Sequence, residues 1–303
     1  MSLACVGLGL YACTSERMHS PPPVQEQKAR DPMPLLNEQR LSSSPDPDLE
    51  ERARQEAMWI LFAAPDQHTD SLISEDVLRA ATFALCAEWR NGSPTVRTFV
   101  RGSFGGTQVA SQPLCTPERR REALKQLLGL ASWGRTDAAT VLAYAHYFGP
   151  DDSMTRLESF RWAKISATAE SVAGFYLMGL HYLSGQAVPT NDAEALRWFK
   201  RAANRDDIRA QFELCLLKHF VGILESYAWC SVAASNPVLG EGANRKRSEA
   251  AMLRNDRVLE LGSSEELSRG QRIAAKKHAV LEHIRSEQFK ALTAASSAAD
   301  VAP

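Results

Sequence analysis

Between Gly174 and Ala203, apolar and small residues recur with the period of a helix, stop, and recur again. Gly174, Met178, Gly179 and Tyr182 fall at i, i+4, i+5 and i+8, one face of a 3.6-residue period. Gly185 ends that run, and Pro189 cannot continue a helix. Thr190 or Asn191 then caps a second run through Ala195, Trp198 and Ala202, again on one face. The pattern predicts a pair of helices joined by a short loop. One pair cannot bury its own apolar face, whereas stacked pairs can.

The pair is repeated. Under a shift of 36, Ala138–Ala167 falls on Gly174–Ala203. Gly149 then meets Gly185, Glu158 meets Glu194, and Arg161, Trp162 and Lys164 meet Arg197, Trp198 and Lys200. Forward, the same shift carries Gly174 onto Ala210, Met178 onto Leu214 and Gly179 onto Cys215. The match then continues at a shift of 31, with Trp198 on Trp229 and Ala202 and Ala203 on Ala233 and Ala234. The residues missing from the third unit are therefore expected to be lost from its inter-helix loop. Backward, Glu122, Ala123 and Ala131 continue the series. Trp162, Trp198 and Trp229 should occupy equivalent niches of successive layers.

Met178-Gly179, Tyr182, Gly185, Val188-Pro189, Ala195, Trp198, Ala202 and Ala203 resemble the unit of the Sel-one-like repeat family, relatives of tetratricopeptide repeats. Asn191 stands where that family has Asp; in the preceding unit Ala143 replaces the Gly and His146 the Tyr. The resemblance covers roughly residues 118–235. It implies an all-α fold, a right-handed α/α solenoid of helix-turn-helix repeats, with an N-terminal helix and a C-terminal helical cap. In tetratricopeptide arrays the first helix of each pair lines the concave side. Carried over, those positions form three rows: Thr140, Tyr176 and Phe212; Tyr144, Leu180 and Leu216; Tyr147, Leu183 and His219. The implied wall is apolar and aromatic, suited to an apolar or amphipathic peptide. Alternatively it is covered by the chain's own N-terminal helix, or is core between neighbouring helices.

The flanks divide the chain further. Residues 1–48 combine a short apolar start with a Pro- and Ser-rich stretch that cannot bury a core, read as a disordered tether. Leu10-Tyr11-Ala12-Cys13 resembles a lipoprotein box, with Cys13 as the lipidated residue; the other reading is a disordered start with a chance cysteine. Residues 49–116 are expected to hold a helix at Leu49–Ala64, a second helix capped by Ser74 and running through Val77, Phe83, Cys86 and Trp89, and a long loop, together a degenerate first repeat. Thr116-Pro117-Glu118 is a helix start. The repeats span 117–236 and a helical cap 237–290, with Gly262 ending one long helix and a Ser263–Glu266 capping box opening the next. Arg272, Lys276 and Lys277 are expected on a solvated face, and 291–303 as a disordered tail.

Composition narrows the function. The 303 residues carry a net charge of −1, which gives no basis for non-specific nucleic-acid binding. No apolar run is long enough to span a membrane. The six cysteines include no C-x-x-C pair, so no zinc or thioredoxin-type site is expected. Cys215 and Cys230 lie on the two helices of the third unit; two buried free thiols are preferred over a disulfide. His278 and His283 are five apart, on different sides of a helix, and are not expected to share a metal. No catalytic motif is present, and no cofactor is implied.

The resulting expectation is a non-enzymatic scaffold or adaptor for a protein or peptide partner. The family resemblance and the Cys13 start together point to the bacterial envelope, with a cytoplasmic assembly factor as the other placement. A different class, also implied by the resemblance, is an enzyme or enzyme accessory acting on cell-wall or β-lactam-type ligands.

Overall fold

The computed structural model describes Arg54 and residues 74–85, 116–149, 153–238 and 241–299. Cys13, the rest of the Leu49–Ala64 helix, Cys86, Trp89 and the loop to 115 lie outside the described residues. The described residues form an all-α solenoid. Its elements are α1 (Glu75–Ala84), α2 (Pro117–Ser132), α3 (Thr136–Tyr147), α4 (Ser153–Thr168), α5 (Val172–Ser184), α6 (Asp192–Ala203), α7 (Ile208–Leu216), the single turn α8 (Lys218–Val221), α9 (Ile223–Ala234), α10 (Glu241–Glu260) and α11 (Ser264–Ala299). Pairs α1/α2, α3/α4, α5/α6 and α7/α9 stack in order, and α10 and α11 pack on the last pair.

The helix ends follow from local chemistry. Ser74, Thr116 and Asn191 are N-caps whose side chains accept from the amides of Val77, Arg119 and Glu194. Gly185 ends α5 in the left-handed region, at φ 68°. Ser263 accepts from the Glu266 amide at 3.2 Å. The Glu266 carboxylate returns a bond to the Gly262 amide at 2.9 Å, one residue before the cap.

The repeat is most legible in the turns between units. Gly134, Glu170 and Asp206 lie 36 apart, and all three are left-handed, at φ 87°, 61° and 70°. Each is the C′ residue of the same helix-ending motif. Arg135, Ser171 and Asp207 donate their amides to Leu130, Ser166 and Ala202, while Gly134, Glu170 and Asp206 donate theirs to Ala131, Ala167 and Ala203. The residue after each turn then stands at the N-cap of the next first helix.

The packing repeats as well. Ser159, Ala163, Ser166 and Ala167 are buried on α4; Ala195, Phe199, Ala202 and Ala203 on α6; Ser226, Cys230 and Ala233 on α9. A Cβ on Gly179 would meet the Phe199 ring at 2.5 Å, so the small residue admits the ring. At the matching positions of the third unit, Cys215 and Cys230 form a disulfide, with Cα atoms 4.7 Å apart and both residues fully buried. This corrects the expectation of free thiols: the two positions that interlock as glycine and phenylalanine in one layer face each other closely enough in the next to be bonded. Ser159 Oγ donates to the Ala143 carbonyl at 2.8 Å, and its counterpart Ser226 Oγ donates to the Cys215 carbonyl at 2.7 Å.

The tryptophans follow the same register with different cover. Trp162 and Trp198 are half-buried at the flank of the helix face, whereas Trp229 is 1% exposed. The C-terminal cap accounts for the difference: the Lys277 ammonium lies 4.0 Å from the centroid of the Trp229 ring and 2.7 Å from Glu225. Lys277 is thus not on a solvated face, while Arg272 and Lys276 are exposed. The shortened third unit loses its loop, as the shift of 31 requires, and its first helix also breaks at Leu217 before α8. The α11 backbone remains helical to Ala299, past the end expected near residue 290.

Candidate functional site

The first helices α3, α5 and α7 neighbour one another along the array, and the wall positions divide by burial. Thr140, Tyr144, Tyr176 and Phe212 are buried; Tyr147, Leu180 and Leu183 are half-buried; Leu216 is 42% exposed and His219 is exposed. Only the second and third groups offer surface. The first forms a floor, and that floor is not purely apolar as the rows suggest. Thr140 Oγ1 lies 2.5 Å from Ser166 Oγ and also donates to the Thr136 carbonyl, tying the first helix of one unit to the end of its second.

The centre of the floor is a buried ion pair. Asp207, at the α7 N-cap, accepts from the amides of Arg209 and Ala210. It also takes both Nε and Nη2 of Arg209, at 3.0 and 2.6 Å. The third nitrogen, Nη1, donates to the Tyr144 hydroxyl at 2.6 Å. The guanidinium carbon lies 4.9 Å from the Tyr176 ring centroid and 5.5 Å from that of Tyr144. One arginine therefore joins first helices of three successive units. The arrangement is fork-to-carboxylate with stacked faces, the geometry that best offsets the cost of burying two charges. In the first of these units the charges are exchanged: Arg135 at the N-cap pairs with Asp137 at 2.6 Å.

Beside this pair sits Glu213, half-buried, accepting from the Tyr176 hydroxyl at 3.4 Å. Burial raises its carboxyl pKa, with nearby Lys246 opposing the shift. The Lys246 ammonium lies over the Phe212 ring, 4.4 Å from its centroid. Burial likewise raises the Tyr147 phenol, whose hydroxyl bonds Ser184 and which feels the Glu213 charge. Asp207, Arg209, Glu213 and Lys246 were missed in the sequence. Asp207 alone carried a signal, since a residue 36 after the cap Ser171 is itself expected to cap.

His181 is the other buried ionisable group. It is 0% exposed, Nε2 lies 2.9 Å from Ser159 Oγ, and Tyr147 and Phe160 stand edge-on to its ring. Ser159 Oγ thus stands within hydrogen-bond reach of both the Ala143 carbonyl and His181 Nε2, and the histidine tautomer sets which of them takes its proton. Burial lowers the pKa to about 4. Ser159 and His181 are thus joined, but both are fully buried, so the pair presents no surface to a substrate. His146, at the family's tyrosine position, is half-buried. Among the described residues no three His, Cys, Asp or Glu side chains are grouped to hold a metal ion. No helix among them is long and apolar enough to cross a membrane.

Residues 136–170 and 176–207 match the family model described as Sel1 repeat. These are Sel1 repeats. They cover α3, α4, most of α5, α6 and the turn that leads into α7, a stretch whose turns, caps and packing recur in register. Sel1 repeats are typically protein–protein interaction scaffolds and generally not catalytic. Among solved structures the chain is similar to a protective antigen of uropathogenic Escherichia coli strains displaying an SLR fold, with 16% identity and a TM-score of 0.47. That likeness covers 82% of this chain and 46% of the antigen, so the chain spans just under half the antigen's length. No curated protein matches the chain.

Proposed function

We propose that this chain is a non-enzymatic adaptor that holds a peptide segment of a partner protein on the concave face built by α3, α5 and α7. The observation that carries the reading is the division of that face into a rigid floor and an accessible apolar rim. Tyr144, Tyr176, Asp207 and Arg209 are closed to solvent and held together through Arg209, while Tyr147, Leu180, Leu183 and Leu216 of the same first helices keep exposed surface. A pre-organised floor lowers the ordering cost of binding, and an apolar rim supplies buried area. The envelope is the favoured location. The Cys215–Cys230 disulfide suits an oxidising compartment, and Cys13 stands where a lipid would be attached.

The wall is tested by binding a random peptide library to the folded protein and rebinding the selected peptides to Leu183→Gln and Leu216→Lys variants. These positions retain exposure, so folding should be preserved. Loss of binding at an unchanged melting temperature supports the reading; unchanged binding in both variants contradicts it. The location is tested separately by radiolabelled palmitate, whose incorporation should disappear in Cys13→Ser.

A further inference from the structure

Glu213 bears on what a bound segment must carry. Its carboxylate stands beside Tyr176 and close enough to Tyr147 for its charge to be felt there, on the same helix as Phe212 and Leu216. Among the described residues the Tyr176 hydroxyl, at 3.4 Å, is the only hydrogen-bond donor to it, and no cation comes within ion-pairing distance. The neighbouring carboxylate, Asp207, shows what full satisfaction looks like here: two backbone amides and a two-point guanidinium. A carboxylate has capacity for about four donors. Glu213 is half-buried and its second oxygen still reaches solvent, so an arriving cation takes the place of water on a carboxylate that the protein itself bonds only once. Lys246 does not supply one, since its ammonium sits over the Phe212 ring.

Resting on the concave-face reading, we propose that Glu213 is the specificity-determining residue of the groove, and that the peptide it takes carries a lysine or arginine side chain between apolar residues. The cation seats on the Glu213 carboxylate, and the flanking apolar side chains lie on Leu180, Leu183 and Leu216. The half-buried Tyr147 favours the same occupant, because its ring attracts a cation brought beside the carboxylate.

The experiment is the composition of peptides selected on the full chain, followed by affinity measurement on Glu213→Gln, a variant of matching shape. Enrichment of a central Lys or Arg flanked by apolar residues, with affinity falling roughly thirtyfold or more in Glu213→Gln, supports the proposal. Replacing the peptide's cation by Gln should cost wild type the same factor and cost Glu213→Gln little. Peptides that bind through Leu183 and Leu216 without a basic residue, or that ignore Glu213→Gln, overturn this inference while the groove itself survives. Failure to select any peptide overturns both.

Discussion

Protonating His181 would put a charge into a niche closed by Tyr147, Phe160 and Ser159. Its folded pKa is about 4 against an ordinary 6.5, so between those values the unfolded chain binds more protons. Stability is therefore complete above about pH 6.5 and falls as pH drops toward 4, by roughly 3 kcal/mol in all. Urea unfolding at pH 7.5 and 4.5 should show this loss, and His181→Gln should flatten the slope; an equally steep slope in the variant would assign the effect elsewhere. The buried Asp207–Arg209 pair makes a second expectation. Asp207→Ala leaves the guanidinium without its carboxylate and should cost about 3–5 kcal/mol. Removing the exposed Glu158–Arg161 pair should cost under about 1 kcal/mol. Thermal melts of the two variants make the comparison. At this scale the sequence showed which residues cap and which pack, because Ser74, Thr116, Asn191 and Gly179 act through local geometry. It did not show Arg209 reaching Tyr144, a contact 65 residues apart that depends on how tightly the units curve.

The inter-unit turn is the element that sets the stacking. Gly134 adopts the left-handed conformation freely, while Glu170 and Asp206 are held there at a cost of order 1 kcal/mol each. Their carboxylates are used differently. Glu170 pairs with Arg201 and Arg205 at the surface. Asp206 binds Arg285 of α11, Gln211 and Asn236, and so joins the turn to the cap. Glu170→Gly should change stability by less than about 1 kcal/mol, as backbone relief offsets weak surface pairs. Asp206→Gly should destabilise the chain, and the two melting curves decide whether the turns are as unequal as their contacts. These turns were hidden in the sequence because two of the three carry no glycine. The disulfide was only half visible: the shift of 36 then 31 places Cys215 and Cys230 at the interlocking positions, but does not decide their oxidation. Its loss in Cys215→Ser should cost about 3 kcal/mol for a closed loop of this size. Alkylation and intact mass before and after unfolding in reductant report whether the bond is present.

For the whole molecule, the helix-pair array was legible because identical demands recur at identical spacing: small residues where helices cross, apolar residues where layers meet. The wall was legible only in part. Hydrophobic rows pick out positions of the first helices, yet cannot distinguish exposed from buried ones, since Tyr144 and Leu183 look alike until neighbours close over one of them. The C-terminal cap was visible as two long helices, while its grip through Lys277 and Arg285 was not, because both basic residues sit among exposed ones in the same helix. First helices from successive units meet through Arg209, Tyr144 and Tyr176. A double-mutant cycle between Tyr144→Phe and Arg209→Met, read by urea unfolding, measures that approach. A coupling of about 1–3 kcal/mol is expected for a buried charged hydrogen bond across the array. Additive effects, with no coupling, would mean that α3 and α7 do not meet over a common floor.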